Sequence, residues 1–196
     1  LILVEPVQGE GGVNPATPGF LATAAELAAE HGALLCFDEV QTGVGRTGTF
    51  FAFEQLGVRP HLVTLAKGLA NGLPIGALLA GDHAPPGFEP GDHASTFGGN
   101  PVVCAAACAV VEAVDDDLLA AVRSRGRQLE EALPVRGLGL LLGLEVEDAG
   151  ETVTACLEAG LIVTSAGPTT LRLTPPLTVS PGEVAEAISI LQEVLA

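Results

Sequence analysis

The 196 residues suffice for one domain or two small ones, and a hydrophobic content of 48% allows a sizeable core. A formal net charge of −16, from 24 acidic against 8 basic residues, excludes a nucleic-acid footprint and leaves a solvated acidic surface on which each arginine stands out. No apolar run approaches the roughly 20 residues that span a bilayer. No basic region precedes the apolar start either, so the expectation is a soluble, cytoplasmic protein without a secretory signal.

Residues 1–4 are a short continuous apolar run, as in a buried parallel strand. With Leu1 as the first residue and no methionine anywhere, that abrupt start predicts a piece of a longer chain, cut within a domain. Residues 8–15 read as loop. Thr17 can cap a helix that has Pro18 at its first position and stops near Gly32. Residues 33–37 are the next strand, with Asp38 at its carboxyl end. A glycine-rich loop, a short helix near residues 50–56 and a third strand at 61–65 follow, with Lys67 just beyond; residues 75–80 look like a fourth strand. Strands alternating with helices predict an α/β unit with a mostly parallel sheet. Ligands of such sheets bind outside the carboxyl ends of the strands, and Asp38 and Lys67 both fall at that edge.

Residues 82–99 are polar, rich in Gly and Pro, and read as an extended loop; residues 100–114 are a helix of small residues. The cluster Asp115, Asp116 and Asp117 opens another helix, which ends before Pro134. The pattern then changes to a strand at 139–146, a helix at 151–159 and strands at 162–164 and 171–173. Ser180, Pro181 and Glu183 spell a capping box at the start of a last helix. Two units are expected: residues 1–114, part of a larger α/β domain, and residues 115–196, a smaller α+β domain.

Several motifs have rival readings. Asp38 and Glu39 at the end of an apolar strand could hold magnesium in an ATPase, but no phosphate loop ending in Gly-Lys-Ser/Thr occurs. Gly43, Gly45 and Gly48 satisfy GxGxxG. They do not leave the strand at once, and no acidic residue sits about twenty positions on, so they read as turn formers. Cys36, Cys104, Cys108 and Cys156 show no CxxC spacing and read as small hydrophobes. His31, His61, His83 and His93 show no ligand spacing, so no metal is expected.

Lys67 is the only lysine and lies in an apolar, glycine-containing stretch. There it can serve as a nucleophile, the rival being a lysine that sends its ammonium to solvent. Asp38 at a neighbouring strand end strengthens the first reading. A Schiff-base lysine needs an electron sink, and pyridoxal phosphate works best with its ring nitrogen protonated by a nearby carboxylate.

Seven blocks, in order and spanning nearly the whole chain, resemble the class III aminotransferases. They are residues 5–13, residues 38–43 (Asp38, Glu39, Val40, Gln41, Thr42, Gly43), residues 45–48, residues 64–68 around Lys67, residues 74–77, residues 95–101 (from Ser95 and Thr96 to Asn100 and Pro101) and residues 171–177 around Arg172. The resemblance implies the carboxy-terminal part of a pyridoxal-phosphate-dependent transferase of fold-type I. It further implies a homodimer with active sites shared between subunits. Lys67 would then carry pyridoxal 5'-phosphate and move the proton, Asp38 would pair with the ring nitrogen, and Gln41 would bond the phenolic oxygen. Thr96, with Ser95 beside it, would reach the phosphate in the partner subunit. Arg172 would hold a substrate carboxylate, and Glu10 would line the substrate site and pair with Arg172 when no carboxylate is present.

The motifs are most similar to the acetylornithine branch, which implies amino transfer between N-acetylornithine and 2-oxoglutarate in arginine biosynthesis. Ornithine, succinylornithine and 4-aminobutyrate are the alternative donors. From another class, a catalytically silent domain that keeps the fold is the second reading. Each residue also has a structural reading: Glu10 as a loop carboxylate, Gln41 as a turn residue, Thr96 as a helix cap, and Arg172 turned to solvent. Arg46 reads as structural. The family's phosphate-cradling segment, ring-stacking aromatic and further arginine would precede Leu1. His61 stands where the family usually has an acid, and Asn71 replaces a common glycine.

Overall fold

The computed structural model describes residues 1–82, 84 and 87–196. His83, which showed no ligand spacing in the sequence, lies outside the described residues. The first strand, β1 (Ile2–Val4), lies parallel to β4 (Leu35–Asp38) in register Ile2 to Leu35 and Val4 to Phe37. Between them the stretch 8–15 expected to be loop takes part in a small hairpin, β2 (Val7–Gln8) with β3 (Asn14–Pro15), and the expected helix follows as α1 (Pro18–Glu30). Thr17 caps α1 as expected, accepting from the Phe20 N–H with Pro18 in the first turn.

A 3₁₀ turn, Ala52–Gln55, replaces the short helix. β5 (Leu62–Leu65) pairs parallel with β4, and β6 (Ala77–Ala80) pairs antiparallel with β5. The sheet order is β1-β4-β5-β6, so the sheet is mostly parallel with one antiparallel edge. Leu35 and Phe37 pack under Leu21, Ala24 and Ala28 of α1. Val63 and Leu65 pack beneath α2 (Pro101–Ala113), whose N-cap Asn100 accepts from the Val103 N–H. The opposite face departs from the expectation of a buried strand at the start: Leu3 is 57% and Leu78 52% exposed. Parallel sheets are normally covered on both faces, and here helices cover one.

Asp115 caps α3 (Asp116–Ala132), as its acidic cluster predicted. The strand expected at 139–146 is β8 (Leu141–Glu145), and it forms a hairpin with a further strand before it, β7 (Val135–Leu138). Its tight turn is possible because Gly139 takes a left-handed φ of 57° and approaches the backbone of Thr47 closely, where a side chain would collide. α4 (Ala149–Glu158), β9 (Thr164–Ser165), β10 (Thr170–Leu173) and α5 (Pro181–Val194) complete the chain. The second sheet has the order β7-β8-β10-β9 and is antiparallel throughout. Its core gathers Val122 and Leu129 of α3, Leu142 and Leu144 of β8, Leu171 and Leu173 of β10, and Val184 and Leu191 of α5. Ser180 and Glu183 form the capping box in full. Among the described residues, no helix is long and apolar enough to cross a membrane.

Candidate active site

The strands β4 and β5 run in parallel and end side by side, so the residues that follow each meet at one sheet edge. Lys67 opens a 3₁₀ turn, Lys67–Ala70, with a left-handed φ of 44°. That conformation costs an L-residue roughly 1 kcal/mol. It is held by backbone bonds from Leu69 N to Ala66 O and from Asn71 N to Gly68 O. Asn71, the departure from the family's glycine, is also left-handed at φ 47°. Asn is among the non-glycine residues that tolerate this region best.

Lys67 lines a cavity of about 610 Å³ together with Glu10, Gln41, Arg46 and Arg172. Glu10 is its hub. Its Oε1 accepts from Arg172 Nη1 at 2.8 Å and from Gln41 Nε2 at 2.9 Å, and Lys67 Nζ stands 3.9 Å away. The Arg172 hydrogen bond, then the Gln41 bond, then the Arg172 charge hold the Glu10 carboxyl below its usual range. Arg172 comes from β10, with Nε bonded to Thr164 Oγ1 at 3.2 Å on β9. It is 14% exposed and has a carboxylate partner, so it does not point freely to solvent. Lys67 is 53% and Glu10 69% exposed in this chain, which makes the lysine contact a weak one.

The loop bearing Glu10 is fixed from both sides. Gly9 N donates to Glu5 Oε2, and Gly9 packs so closely on the Gln41 amide that a β-carbon would collide with it. Arg136 of β7 donates from Nε and Nη2 to Gly12 O at 3.1 and 2.6 Å, and its Nη1 pairs with Glu145 at 2.8 Å. Arg46 joins the two sheets: Nη1 donates to Leu140 O at 3.0 Å and to Pro175 O at 2.6 Å, and Leu140 N returns a bond to Arg46 O. Burial pushes its guanidinium down to about 10.

Asp38 sits at the carboxyl end of β4, where its Oδ1 accepts from Val40 N at 3.0 Å. It lines a neighbouring recess of about 440 Å³ with Leu3, Glu5 and Gln8 rather than the Lys67 cavity itself. Ser95 and Thr96 are exposed on the loop before α2 and stand apart from the cavity lining. Ser95 Oγ accepts from Gly98 N at 2.9 Å, and because Asn100 caps α2, Thr96 is not its cap. The structure therefore gathers Lys67, Glu10, Gln41 and Arg172 around one cavity, puts Asp38 at the adjoining strand end, and leaves Ser95 and Thr96 outside. Among the described residues, no group of three or more His, Cys, Asp or Glu is placed to hold a metal.

Two contributors escaped the sequence. Glu39 is 1% exposed and accepts from Ala52 N at 2.7 Å, Phe53 N at 3.0 Å and Thr42 Oγ1 at 3.0 Å, tying down the loop that carries Gln41. Burial nevertheless raises its carboxyl. A buried-strand carboxylate next to Asp38 was the available signal. Arg136 had none, because its partners Gly12 and Thr170 lie far off in the chain.

The donor set fits pyridoxal phosphate: one amine and one amide on a shared cavity, a carboxylate at the next strand end, and a guanidinium for a substrate carboxylate. Comparisons with known proteins agree with this chemistry. The model of the family described as aminotransferase class-III matches residues 1–195. The acetylornithine aminotransferase of Corynebacterium efficiens is 48% identical over 204 residues, covering 100% of this chain and 51% of the relative. The chain thus spans about half the length of the curated relatives it matches. Among solved structures, N-acetylornithine aminotransferase from Stenotrophomonas maltophilia superposes with a TM-score of 0.86 at 38% identity, covering 98% of this chain and 55% of that one. Ornithine aminotransferase from Toxoplasma gondii, whose structure has partial occupancy of PLP at the active site, gives a TM-score of 0.87 at 33% identity, covering 98% and 50%. The α/β arrangement with a mostly parallel sheet is that of the fold-type I transferases. With the family model matched from end to end, the chain belongs to the class III aminotransferases.

Proposed function

We propose that this chain is the lysine-bearing part of an enzyme that transfers an amino group between N-acetylornithine and 2-oxoglutarate in arginine biosynthesis. Lys67 at the carboxyl edge of a mostly parallel sheet, one strand from Asp38 and facing the Glu10–Arg172–Gln41 cluster, is the observation that carries this reading. Pyridoxal 5'-phosphate, when bound, supplies an electron sink for the carbanion at the amino-bearing carbon and a carrier for the amino group. Lys67 Nζ is its covalent anchor and then moves the proton to and from that carbon. The Asp38 carboxylate holds a proton on the ring nitrogen. Gln41, whose amide N–H now donates to Glu10, would donate it to the phenolic oxygen.

Arg172 binds the carboxylate of the oxo-acid partner in the fork geometry that suits a guanidinium. Glu10 occupies that guanidinium in its absence, which spares the mostly buried charge an unpaired state. Ser95 and Thr96, exposed on their loop, contact the cofactor phosphate of a second subunit in a homodimer. Residues 1–114 and 115–196 are proposed as the two units, the first belonging to a large domain whose bare sheet face is covered by the rest of a longer cytoplasmic protein. The same cover favours a second reading for the isolated chain, as a silent piece that keeps the fold, because Lys67 is half exposed here.

The test is spectroscopic. Full-length holoenzyme mixed with N-acetylornithine should lose its cofactor absorbance and regain it on adding 2-oxoglutarate. Stronger response to ornithine, succinylornithine or 4-aminobutyrate would reassign the donor, and no response to any of them would overturn the activity. Titration of the 196-residue chain alone with pyridoxal phosphate separates the silent reading from the active one.

A further inference from the structure

One face of the antiparallel sheet carries a row of polar side chains. Arg136 of β7 and Arg172 of β10 are both register partners of Gly143 on the strand between them, β8. Register partners share a face, so the two arginines leave the same side about 10 Å apart by strand spacing, with no side chain between them. Glu145 and its partner Thr170 each lie two residues from this row, on the same face, and both bond Arg136. Leu142, Leu144, Leu171 and Leu173 take the other face and form the core.

The loop that bears Glu10 lies across this row. Arg136 grips Gly12 O from Nε at 3.1 Å and Nη2 at 2.6 Å. Val13 fills the gap over Gly143: it is fully buried with Leu141 and Ala166, and a β-carbon added to Gly143 would stand 2.8 Å from that of Val13. Val13 holds a φ of 53°, where a β-branched residue is a genuine outlier, so the surroundings impose this loop conformation. From the far end of the row Arg172 Nη1 bonds the Glu10 carboxylate at 2.8 Å. The main chain at Gly12 and Val13 is thus fastened to the sheet that bears Arg172, while the Glu10 side chain is 69% exposed and able to rotate into solvent.

We propose that Arg136 is a positioning residue for Glu10, setting how strongly that carboxylate competes with a substrate carboxylate for Arg172. This deepens the reading of Arg172 as a carboxylate site and rests on it. A tethered group competes at an effective concentration set by the length and stiffness of its tether. Arg136, and the gap that Gly143 leaves for Val13, stiffen the tether of Glu10. An incoming carboxylate binds only those molecules in which Glu10 has swung off the guanidinium, which lowers its apparent affinity. Arg136 therefore tunes the carboxylate affinity of the site without touching the substrate.

The test is calorimetric titration of full-length holoenzyme with glutarate, a dicarboxylate that has no carbonyl or amino group to react. Arg136→Met removes the grip on Gly12, and glutarate should then bind about threefold more tightly, within the modest strength of an exposed carboxylate pair. Arg136→Lys, which keeps the charge and a donor, should fall between Arg136→Met and wild type. Gly143→Ala displaces Val13 with Arg136 intact and should tighten glutarate as well. In a Glu10→Gln background, where the competitor has lost its charge, neither substitution should change the affinity further, a silence that a merely structural role does not produce. Unchanged or weakened glutarate binding in Arg136→Met, or an equal change with Glu10→Gln present, would overturn the role. Should Arg136→Met fail to fold, Gly143→Ala decides by the same criteria. Wild-type glutarate binding in Arg172→Met would overturn the carboxylate reading itself and the role with it, a result distinct from the others.

Discussion

The antiparallel sheet β7-β8-β10-β9 and the mostly parallel sheet β1-β4-β5-β6 bury their side chains differently. In the first, Leu142 and Leu171 are at 0% and Leu144 at 2% exposure, enclosed by α3, α4 and α5. In the second, α1 and α2 cover one face while Leu3 and Leu78 on the other are more than half exposed. The difference teaches that the antiparallel sheet is enclosed by helices of this chain, whereas the mostly parallel sheet has helices on one face only. Arg46 and Arg136 bind the two together, and the cavity with Lys67 and Arg172 forms where they meet.

Substitutions at matched leucines sharpen this contrast. Leu142→Ala in the enclosed core should destabilise by about 2–5 kcal/mol in urea unfolding. Glu39→Gln should cost about 1–3 kcal/mol, because an amide can accept from only some of the donors from Ala52, Phe53 and Thr42. An unchanged midpoint would show that the loop carrying Gln41 is held by something else. Leu78→Ala on the bare face should cost less than about 1 kcal/mol in the 196-residue chain. A loss as large as that of Leu142→Ala would contradict the contrast between the sheets.

The two site carboxylates have opposite pH signatures. The folded state depresses Glu10, so its contribution is present at neutral pH and is lost as pH falls below the ordinary carboxylate range through the folded value. Burial raises Glu39, so its contribution is full below the ordinary range and declines as pH rises through its folded value. Unfolding midpoints measured from pH 3 to 8 should therefore lose the acid-side fall in Glu10→Gln and the rise-side decline in Glu39→Gln. The Glu10 effect is the smallest expected, since that side chain is solvent-exposed.

Local signals in the sequence were strong. Thr17, Asp115 and Ser180 cap the helices they were expected to cap, because side-chain capping is decided within four residues. The carboxyl-edge placement of Asp38 and Lys67 followed from strand periodicity. The β7 strand was missed because Arg136 and Gly137 interrupt its apolar run, and only pairing with β8 reveals it. The strand expected at 162–164 shifted to Thr164–Ser165, leaving Ile162 83% exposed, since register is set by β10 across the sheet. The covered or bare state of a sheet face depends on neighbours that no local pattern encodes, and so do the distant partners of Glu39 and Arg136.

The central claim is that Lys67 is the covalent attachment point of the cofactor. Full-length holoenzyme reduced with sodium borohydride, digested and analysed by mass spectrometry tests it most directly. The account predicts a reduced pyridoxyl group on the peptide containing Lys67 and its loss in Lys67→Ala. A pyridoxyl group on another lysine, with Lys67 unmodified, would contradict it.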